Sequence, residues 1–158
     1  MAEALTTTPV VVAGPAAALE MAGRDLGWSN WVLVDQQRVD AFAEATGDRQ
    51  WIHVDPARAA DGPYGVTVAH GFLTLSLSPL FMADLVAFEG FRMGVNYGVE
   101  RVRFPAPVPV GGRVRGGARI ASVREISGGV HIETVLTVEV EGQRKPACVA
   151  TMVSRRYV

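Results

Sequence analysis

The sequence lacks the features that mark several protein classes. Its 158 residues include one cysteine, Cys148, which excludes a disulfide framework within the chain and a cysteine-rich zinc site and favours a reducing, cytoplasmic location. Its 15 basic and 16 acidic side chains leave a net charge of −1, whereas a nucleic-acid partner would require a basic face. The motifs G-x-G-x-x-G, GxxxxGK[ST] and G-x-S-x-G are absent, so nucleotide-binding and serine-nucleophile functions have no support.

Signals for secretion or membrane insertion are weak as well. A secretory signal requires a basic region before its apolar core, but the first basic residue is Arg24. The run 71–88 has about the length that spans a bilayer, yet Asp84 lies within it, where a charge is costly. A helix that is apolar on nearly all sides is otherwise a buried one. No membrane partner is therefore expected.

Length and patterning predict one α+β domain. We expect residues 1–15 to form a loose N-terminal leader and residues 16–158 to form the domain, since 158 residues with 49% hydrophobic content suffice for one ordinary core. Helices are predicted over 16–26, 35–46 and 69–88, with strands over 28–34, 95–104, 114–125, 129–141 and 146–158. Helices followed by antiparallel strands and short turns indicate a buried helix packed on an antiparallel sheet.

The candidate catalytic groups lie in one segment. Asp48 and His53 are five residues apart, across the predicted end of a helix and its loop, so both side chains can point into one space. The carboxylate can accept a proton from a water that the imidazole positions or protonates, since histidine titrates near neutrality. His70 and Gly71 stand where the long helix begins, and free N–H groups at that helix end suit a developing oxyanion. Gly71 also leaves room for a substrate carbonyl.

Three ordered elements resemble the MaoC-like dehydratases, also called (R)-specific enoyl-CoA hydratases. They are G-D-R-Q-W-I-H-V-D-P at 47–56, A-H-G-F-L at 69–73 and F-P-A-P-V-P-V-G at 104–111. The resemblance extends from about residue 31 to the C-terminus, and the first element together with G-P-Y-G at 62–65 looks most like the nodulin-N-like branch.

The sequence departs from the family pattern at several positions. Gln50-Trp51 replaces the usual Asn-Pro, which should alter the pocket more than the mechanism, and Gly112 stands where the family usually has Asp. The family's helix serine has no clean counterpart: Ser76 and Ser78 are the candidates, but Pro79 lies at the expected offset. Neither serine is placed in the catalytic set.

The resemblance implies the hot-dog fold, in which an antiparallel sheet wraps a long central helix, and reversible hydration of trans-2-enoyl thioesters to (R)-3-hydroxyacyl thioesters. Asp48 would activate water for attack at C3, and His53 would hold the same water and supply or take the proton at C2. The Gly71 N–H, with His70 beside it, would bind the thioester carbonyl. The central helix and residues 48–68 would line an acyl tunnel.

The resemblance also implies a place in fatty acid metabolism, with either a coenzyme A or a carrier-protein thioester as substrate. No metal or redox cofactor is expected, because the thioester already acidifies C2; coenzyme A enters only as part of the substrate. Family members commonly pair sheet to sheet, so a homodimer is expected. An acyl-CoA thioesterase and a non-catalytic acyl-binding subunit are the alternative functions.

Several candidate residues have plainer interpretations. His70 is expected to orient the neighbouring loop, and Asp55 to cap the turn at Pro56, rather than to take part in chemistry. Trp51 and Phe72 either line the pocket or fill the core. His131 is predicted to lie on a solvent-exposed strand face. Two further residues, Arg101 and Arg103, stand on alternate positions of a strand, where they either meet coenzyme A phosphates or remain solvated.

Overall fold

The computed structural model describes residues 8–158, with short helices mainly in the first half and long strands in the second. In chain order the elements are β1 (Val10–Ala13), α1 (Gly14–Leu19), β2 (Asp25–Trp28), β3 (Val32–Leu33), α2 (Gln36–Thr46), α3 (Trp51–Val54), α4 (Pro56–Ala60), α5 (Gly71–Ser76), α6 (Ser78–Leu85), β4 (Val86–Glu89), β5 (Met93–Arg103), β6 (Arg113–Ile126), β7 (Gly129–Val140) and β8 (Cys148–Tyr157). This division confirms the predicted α+β class.

The long strands form one antiparallel sheet in the order β2-β6-β7-β8-β5, and β3 also pairs with β6. Strand β7 shows the burial that its alternating sequence predicts. Alternate residues from Val130 to Val140 are buried against the core, and those between them are mostly half-buried. A period of two places one face of a strand on the core. The sheet therefore has one apolar inner face.

The central helix lies against this inner face. Its buried residues Leu73, Leu77, Phe81 and Leu85 pack in one cluster with side chains of β6, β7 and β8. The helix is divided into α5 and α6, and Pro79 falls in the first turn of α6, where its missing N–H leaves no intrahelical bond unmade. Within residues 8–158, no helix is long and apolar enough to cross a bilayer.

The predicted helix 69–88 is too long at its C-terminal end. Helix α6 ends at Leu85, and Val86–Glu89 instead form β4, which pairs in parallel with β1. The apolar run fits a helix or a strand equally well from the sequence alone. The parallel partner β1, whose residues lie 76 positions earlier in the chain, decides between them.

The predicted loose leader is wrong over Val10–Ala13, because these residues are β1 and Val12 is buried in a second core cluster with Val130 and Ile132. The boundary predicted after residue 15 falls inside α1. The rest of the predicted leader, residues 1–7, lies outside the described residues, and the domain bounds remain a prediction.

The strand predicted over 28–34 is interrupted. Ser29 still exchanges hydrogen bonds with Gly116 of β6, but the N–H of Asn30 donates to the Asp84 carboxylate at 2.9 Å instead of joining the ladder. The segment therefore contains the last residue of β2 and the two residues of β3, with a short irregular connection between them.

His131 is buried, with 6% of its surface exposed, so its predicted place on a solvent-exposed face is wrong. Tyr97 covers the imidazole edge-on at 6.2 Å between ring centroids, and the Arg155 guanidinium stacks on Tyr97 in turn. Large side chains on the neighbouring strands therefore bury a position that the alternation of β7 directs outward. Burial, followed by the charges of nearby arginines, lowers the pKa of His131.

Candidate active site

Helix α2 ends where the predicted catalytic segment begins. The Asp35 carboxylate accepts a hydrogen bond from the Arg38 N–H and caps the start of α2, as the sequence predicted. The helix stops at Gly47, which has a φ of 78° in the left-handed region that glycine adopts without strain. The chain turns there, and Asp48 follows with an exposed side chain.

The short helix α3 carries His53, which is 7% exposed. Its Nδ1–H donates to the Val68 carbonyl at 2.6 Å, which leaves Nε2 as an unprotonated acceptor. Burial is the largest effect on this imidazole and lowers its pKa from 6.5, while the bond to Val68 opposes the shift. His53 is therefore neutral at physiological pH, with Nε2 ready to accept a proton.

His70 holds the loop that carries Asp48. Its Nε2–H donates to the Asp48 carbonyl at 2.9 Å, and its ring stacks on that of His53 and contacts Phe42. The ring is 3% exposed, and its Nδ1 has no hydrogen-bond partner within residues 8–158. These contacts match the expectation that His70 orients the neighbouring loop.

The structure brings Asp48, His53 and His70 together. One side-chain nitrogen or oxygen of each lies within 4.8 Å of the others. Asp48 is exposed and the two imidazoles are buried, so the cluster has one side open to a substrate and one side fixed by the fold. The sequence placed Asp48 and His53 in one space from their spacing alone.

Gly71 begins α5, directly after His70. The first intrahelical bond runs from the Thr74 N–H to the His70 carbonyl, so the Gly71 N–H precedes the bonded part of the helix. The space that a side chain at Gly71 would need is filled by the Phe104 ring. Glycine at position 71 is therefore favoured by this close packing as well as by the predicted approach of a substrate carbonyl.

Sequence reasoning missed Gln36, which links three parts of the site. Its Nε2 donates to the His53 carbonyl at 2.7 Å and to Asp40 at 2.8 Å, and its Oε1 accepts from the Thr67 hydroxyl at 2.6 Å. Gln36 thereby joins the start of α2 to α3 and to the segment before His70. No motif marks a glutamine in the first turn of a helix as a tether.

A cavity of about 280 Å³ lies between α6 and the inner face of the sheet, with its lining contributed by α6, β4, β5, β7 and β8. No residue of 48–68 lines it, so the expectation that this segment would help to form an acyl tunnel is not met by this cavity. Ser78 is buried and lines the cavity, whereas Ser76 is exposed and donates to the Phe72 carbonyl.

The remaining residues of the motif have structural places. Asp55 accepts from the Arg58 N–H and caps α4, which confirms the prediction made for it. Trp51 lies under the Arg58 guanidinium at 4.5 Å from its ring, and Gly62 packs against the ring. Phe72 is 66% exposed and meets the Phe104 ring edge to face, with the ring centroids 5.7 Å apart, so it does not fill the core.

The chain is similar in sequence to known proteins over most of its length. The family model for the MaoC like domain matches residues 18–142. The 3-hydroxyacyl-thioester dehydratase Z of Mycobacterium tuberculosis (strain ATCC 25618 / H37Rv) is 52% identical over 135 residues, covering 85% of this chain and 89% of the relative. Nodulation protein N of Rhizobium leguminosarum bv. viciae is 44% identical over 135 residues, covering 84% of each.

Among solved structures, the unliganded R-hydratase PhaJ1 from Pseudomonas aeruginosa superimposes with a TM-score of 0.71 at 21% identity. The match covers 90% of this chain and 85% of that one. A likeness at this identity concerns the fold, and it confirms the predicted hot-dog architecture.

Proposed function

Because the chain belongs to the MaoC-like domain family, we propose that it adds water to trans-2-enoyl thioesters and removes it from (R)-3-hydroxyacyl thioesters. One observation carries the proposal: the side chains of Asp48 and His53 come within 4.8 Å of each other at an open surface. The relatives named as dehydratases support the same reaction class. The chain is accordingly a lyase that acts on acyl thioesters.

The reaction needs one water and two positions on the substrate. In hydration, Asp48 accepts a proton as the water oxygen attacks C3, and His53 holds the same water through its unprotonated Nε2. The proton that Asp48 takes from the water then moves to Nε2 of His53 and from there to C2, so both side chains recover their starting protonation states. Dehydration reverses these steps: the proton leaves C2 and the hydroxyl leaves C3 as water.

The thioester carbonyl must hold negative charge while C2 is an enolate. We assign this role to the Gly71 N–H, which precedes the first intrahelical bond of α5. Helix α5 has six residues, so the assignment rests on the N–H itself more than on the dipole of a long helix. A donor aimed at a developing oxyanion is worth a few kcal/mol.

His70 and Gln36 act on the reaction through other groups. His70 holds the Asp48 backbone and the His53 ring, and Gln36 holds the His53 backbone. Both are positioning residues in this proposal. A direct role of His70 in substrate binding remains a prediction; its Nε2–H is already engaged by the Asp48 carbonyl.

We also propose that the site works without a metal or redox cofactor. Asp48, His53 and His70 are close enough to be considered as ligands, but two ring nitrogens are already bonded to carbonyls and the rings are stacked at 25°. In-plane lone pairs of nearly parallel rings do not converge on an ion at about 2.0–2.1 Å from each. Elemental analysis of the active protein and its activity after chelation test this point.

For the substrate, we propose an acyl thioester of coenzyme A or of a carrier protein, as used in fatty acid metabolism. The cavity beside α6 offers apolar surface for an acyl chain, with Met82, Val86 and Ile132 among its walls. Arg101 and Arg103 are exposed on one face of β5, where they are available to the phosphates of coenzyme A. Rates with matched coenzyme A and carrier-protein thioesters distinguish the two carriers.

We propose a homodimer that pairs through β5. This strand is the edge of the sheet, is exposed along almost its whole length, and carries exposed apolar side chains, including Met93, Tyr97 and Val99. An exposed edge of this kind favours pairing with a second strand. Light scattering coupled to size exclusion gives the mass in solution: about twice 16.9 kDa supports the dimer, and a monomer mass contradicts it.

A cytoplasmic location is the remaining proposal. It rests on Cys148, which is a free thiol in the described structure and is fully buried. Burial raises the pKa of Cys148 to about 11, so the thiol is inert and makes no demand on an oxidising compartment. Cell fractionation with an antibody to the native chain tests it.

The reaction class is tested by incubating the protein with a trans-2-enoyl-CoA and following the enoyl absorbance and free thiol in parallel. Loss of the enoyl signal without thiol, with a product that co-elutes with the (R)-3-hydroxyacyl-CoA standard, supports the hydratase. Thiol release identifies a thioesterase instead. No change in either signal, with substrate still bound, indicates a non-catalytic acyl-binding subunit.

A further inference from the structure

An arginine without an acidic partner lines the cavity beside α6. The Nε of Arg156 is buried and makes no hydrogen bond within residues 8–158, and none of the salt bridges in that part of the chain involves this residue. Its guanidinium instead stacks on Phe88, 4.3 Å from the ring centroid. Burial lowers the pKa of Arg156. The residue as a whole is half-buried, and a cation partly withdrawn from water is destabilised unless an anion accompanies it.

The fold makes room for this side chain. Gly94 of β5 pairs with Arg156 of β8, and any side chain at position 94 would overlap the Arg156 guanidinium. The guanidinium therefore lies across a backbone position without a Cβ, with its Nε enclosed. This arrangement holds the charge at one wall of the cavity.

The cavity changes from apolar to polar along β8. Its inward-facing residues run from Met152 through Ser154 to Arg156, and Asn96 of β5 pairs with Ser154. The wall formed by α6 contributes apolar side chains, including Met82. The lining thus suits a ligand that is a hydrocarbon over most of its length and polar at one end.

The polar end is the one remote from the proposed site of chemistry. Cys148 and Ala150, at the start of β8, share a core cluster with Leu73 of α5, whereas Arg156 lies near the other end of β8 and stacks on Phe88, beyond the end of α6. Ser78 is the first residue of α6 that lines the cavity, and the helical rise from Gly71 to Ser78 is roughly 10 Å. An acyl chain that enters from Gly71 would therefore reach Arg156 with its distal end.

We propose that Arg156 binds a carboxylate at the distal end of the acyl chain, so that the enzyme prefers ω-carboxyacyl thioesters to fatty acyl thioesters of equal length. The inference rests on the proposed hydratase function. Arginine binds carboxylates through two parallel hydrogen bonds, a geometry that lysine does not reproduce. A coenzyme A phosphate is the other possible anion, but it is common to both kinds of substrate and gives no preference between them.

The test compares two trans-2-enoyl-CoA series that increase in length from about eight carbons, one ending in methyl and one in carboxylate, because the cavity begins roughly 10 Å from Gly71 and Arg156 lies at its far end. We expect wild-type kcat/KM to be higher for the carboxylate series. Arg156→Met should lower kcat/KM for that series on the order of 10-fold to 100-fold and leave the methyl series unchanged or improved. Arg156→Lys should fall between the two.

The matched control is Arg155→Met. Arg155 directly precedes Arg156 in β8, and its Nε is likewise buried without a hydrogen bond within residues 8–158. It stacks on Tyr97 and does not line the cavity, so its loss removes the same charge without touching the proposed contact. Both substrate series should react as in the wild type, and the preference should be retained.

A second measurement does not depend on turnover. Free medium-chain dicarboxylic acids should raise the Tm of the wild-type protein more than monocarboxylic acids of equal length, and this difference should disappear in Arg156→Met. Equal losses for both substrate series, equal Tm shifts for both acids, or conversion of the dimer to a monomer by Arg156→Met would each overturn the inference. If the wild type hydrates neither series, the proposed function fails, and the Tm comparison still decides whether Arg156 binds a carboxylate.

Discussion

The imidazole rings of His53 and His70 stack with their centroids 3.8 Å apart and their planes at 25°. His53 belongs to α3 and His70 directly precedes α5, so the contact joins the two segments that carry the proposed water-binding group and the proposed oxyanion donor. Each imidazole is fixed further by one hydrogen bond to a backbone carbonyl, of Val68 and of Asp48 respectively. The proposed site is therefore pre-formed on its buried side.

His70→Phe separates the two contacts of this ring, because phenylalanine retains a ring against His53 and loses the donor to the Asp48 carbonyl. We expect kcat to fall roughly 10-fold to 100-fold through displacement of Asp48, with a small change in KM. His70→Gln, which keeps a donor, should recover part of the loss. His131→Phe is the control with no contact to the site. Steady-state kinetics check this, and a change confined to KM would show that His70 binds substrate instead.

The fall of kcat/KM at acid pH should reflect the protonation of His53. The neutral form accepts the proton at Nε2, and burial lowers its pKa, so kcat/KM should stay level as the pH falls to about 6.5 and decline only below that value. An acid limb centred well above about 6.5 would contradict a neutral His53 as the active form.

Stability should fall over the same acid range. The pKa values of His53 and His131 are both lowered by burial, so below about pH 6.5 the unfolded chain takes up protons that the native state does not. The free energy of unfolding is then unaffected by these groups above that pH and declines as the pH drops through the folded-state pKa values. Urea unfolding at a series of pH values measures it, and His131→Gln should reduce the decline. A flat dependence in wild type would contradict the account.

The packing of the central helix is tested by two adjacent residues. Phe81 is fully buried against the sheet, whereas Leu80 is 49% exposed. Phe81→Ala should lower the free energy of unfolding by about 3–5 kcal/mol, and Leu80→Ala by less than about 1 kcal/mol. Urea unfolding at fixed protein concentration compares them. Similar losses for both would mean that the helix faces are assigned incorrectly.

Much of the fold could be predicted from the sequence, because the local sequence patterns agree with the tertiary packing. The cap at Asp35, the stop at Gly47 and the alternation of β7 each have a cause within a few residues, and all three are found in the structure. The predictions are wrong where the structure of a segment depends on residues distant in the chain. Strand β4 forms by pairing with β1, and His131 is buried by a side chain from β5. Sequence periodicity holds no information on those partners.

The site likewise contains residues that local spacing predicts and residues whose contacts are made across the fold. The spacing of Asp48 and His53 and the position of His70-Gly71 pointed to one cluster, and the structure brings these residues together. Gln36 and Arg156 escaped notice because each acts through a contact made across the fold, to the His53 carbonyl and into the cavity respectively. A glutamine in a helix and an arginine in a strand are otherwise ordinary surface residues.

The cooperation of Asp48 and His53 on one water is the central claim, and a double-mutant cycle tests it most directly. Rates of enoyl-CoA hydration are measured for wild type, Asp48→Asn, His53→Gln and the double variant, with folding checked by thermal unfolding. Each single change should lower kcat by about 100-fold or more, and the double variant should be little worse than the more damaging single change, because the two groups act as a unit. Single variants that retain the wild-type rate, or losses that simply multiply, would contradict the claim.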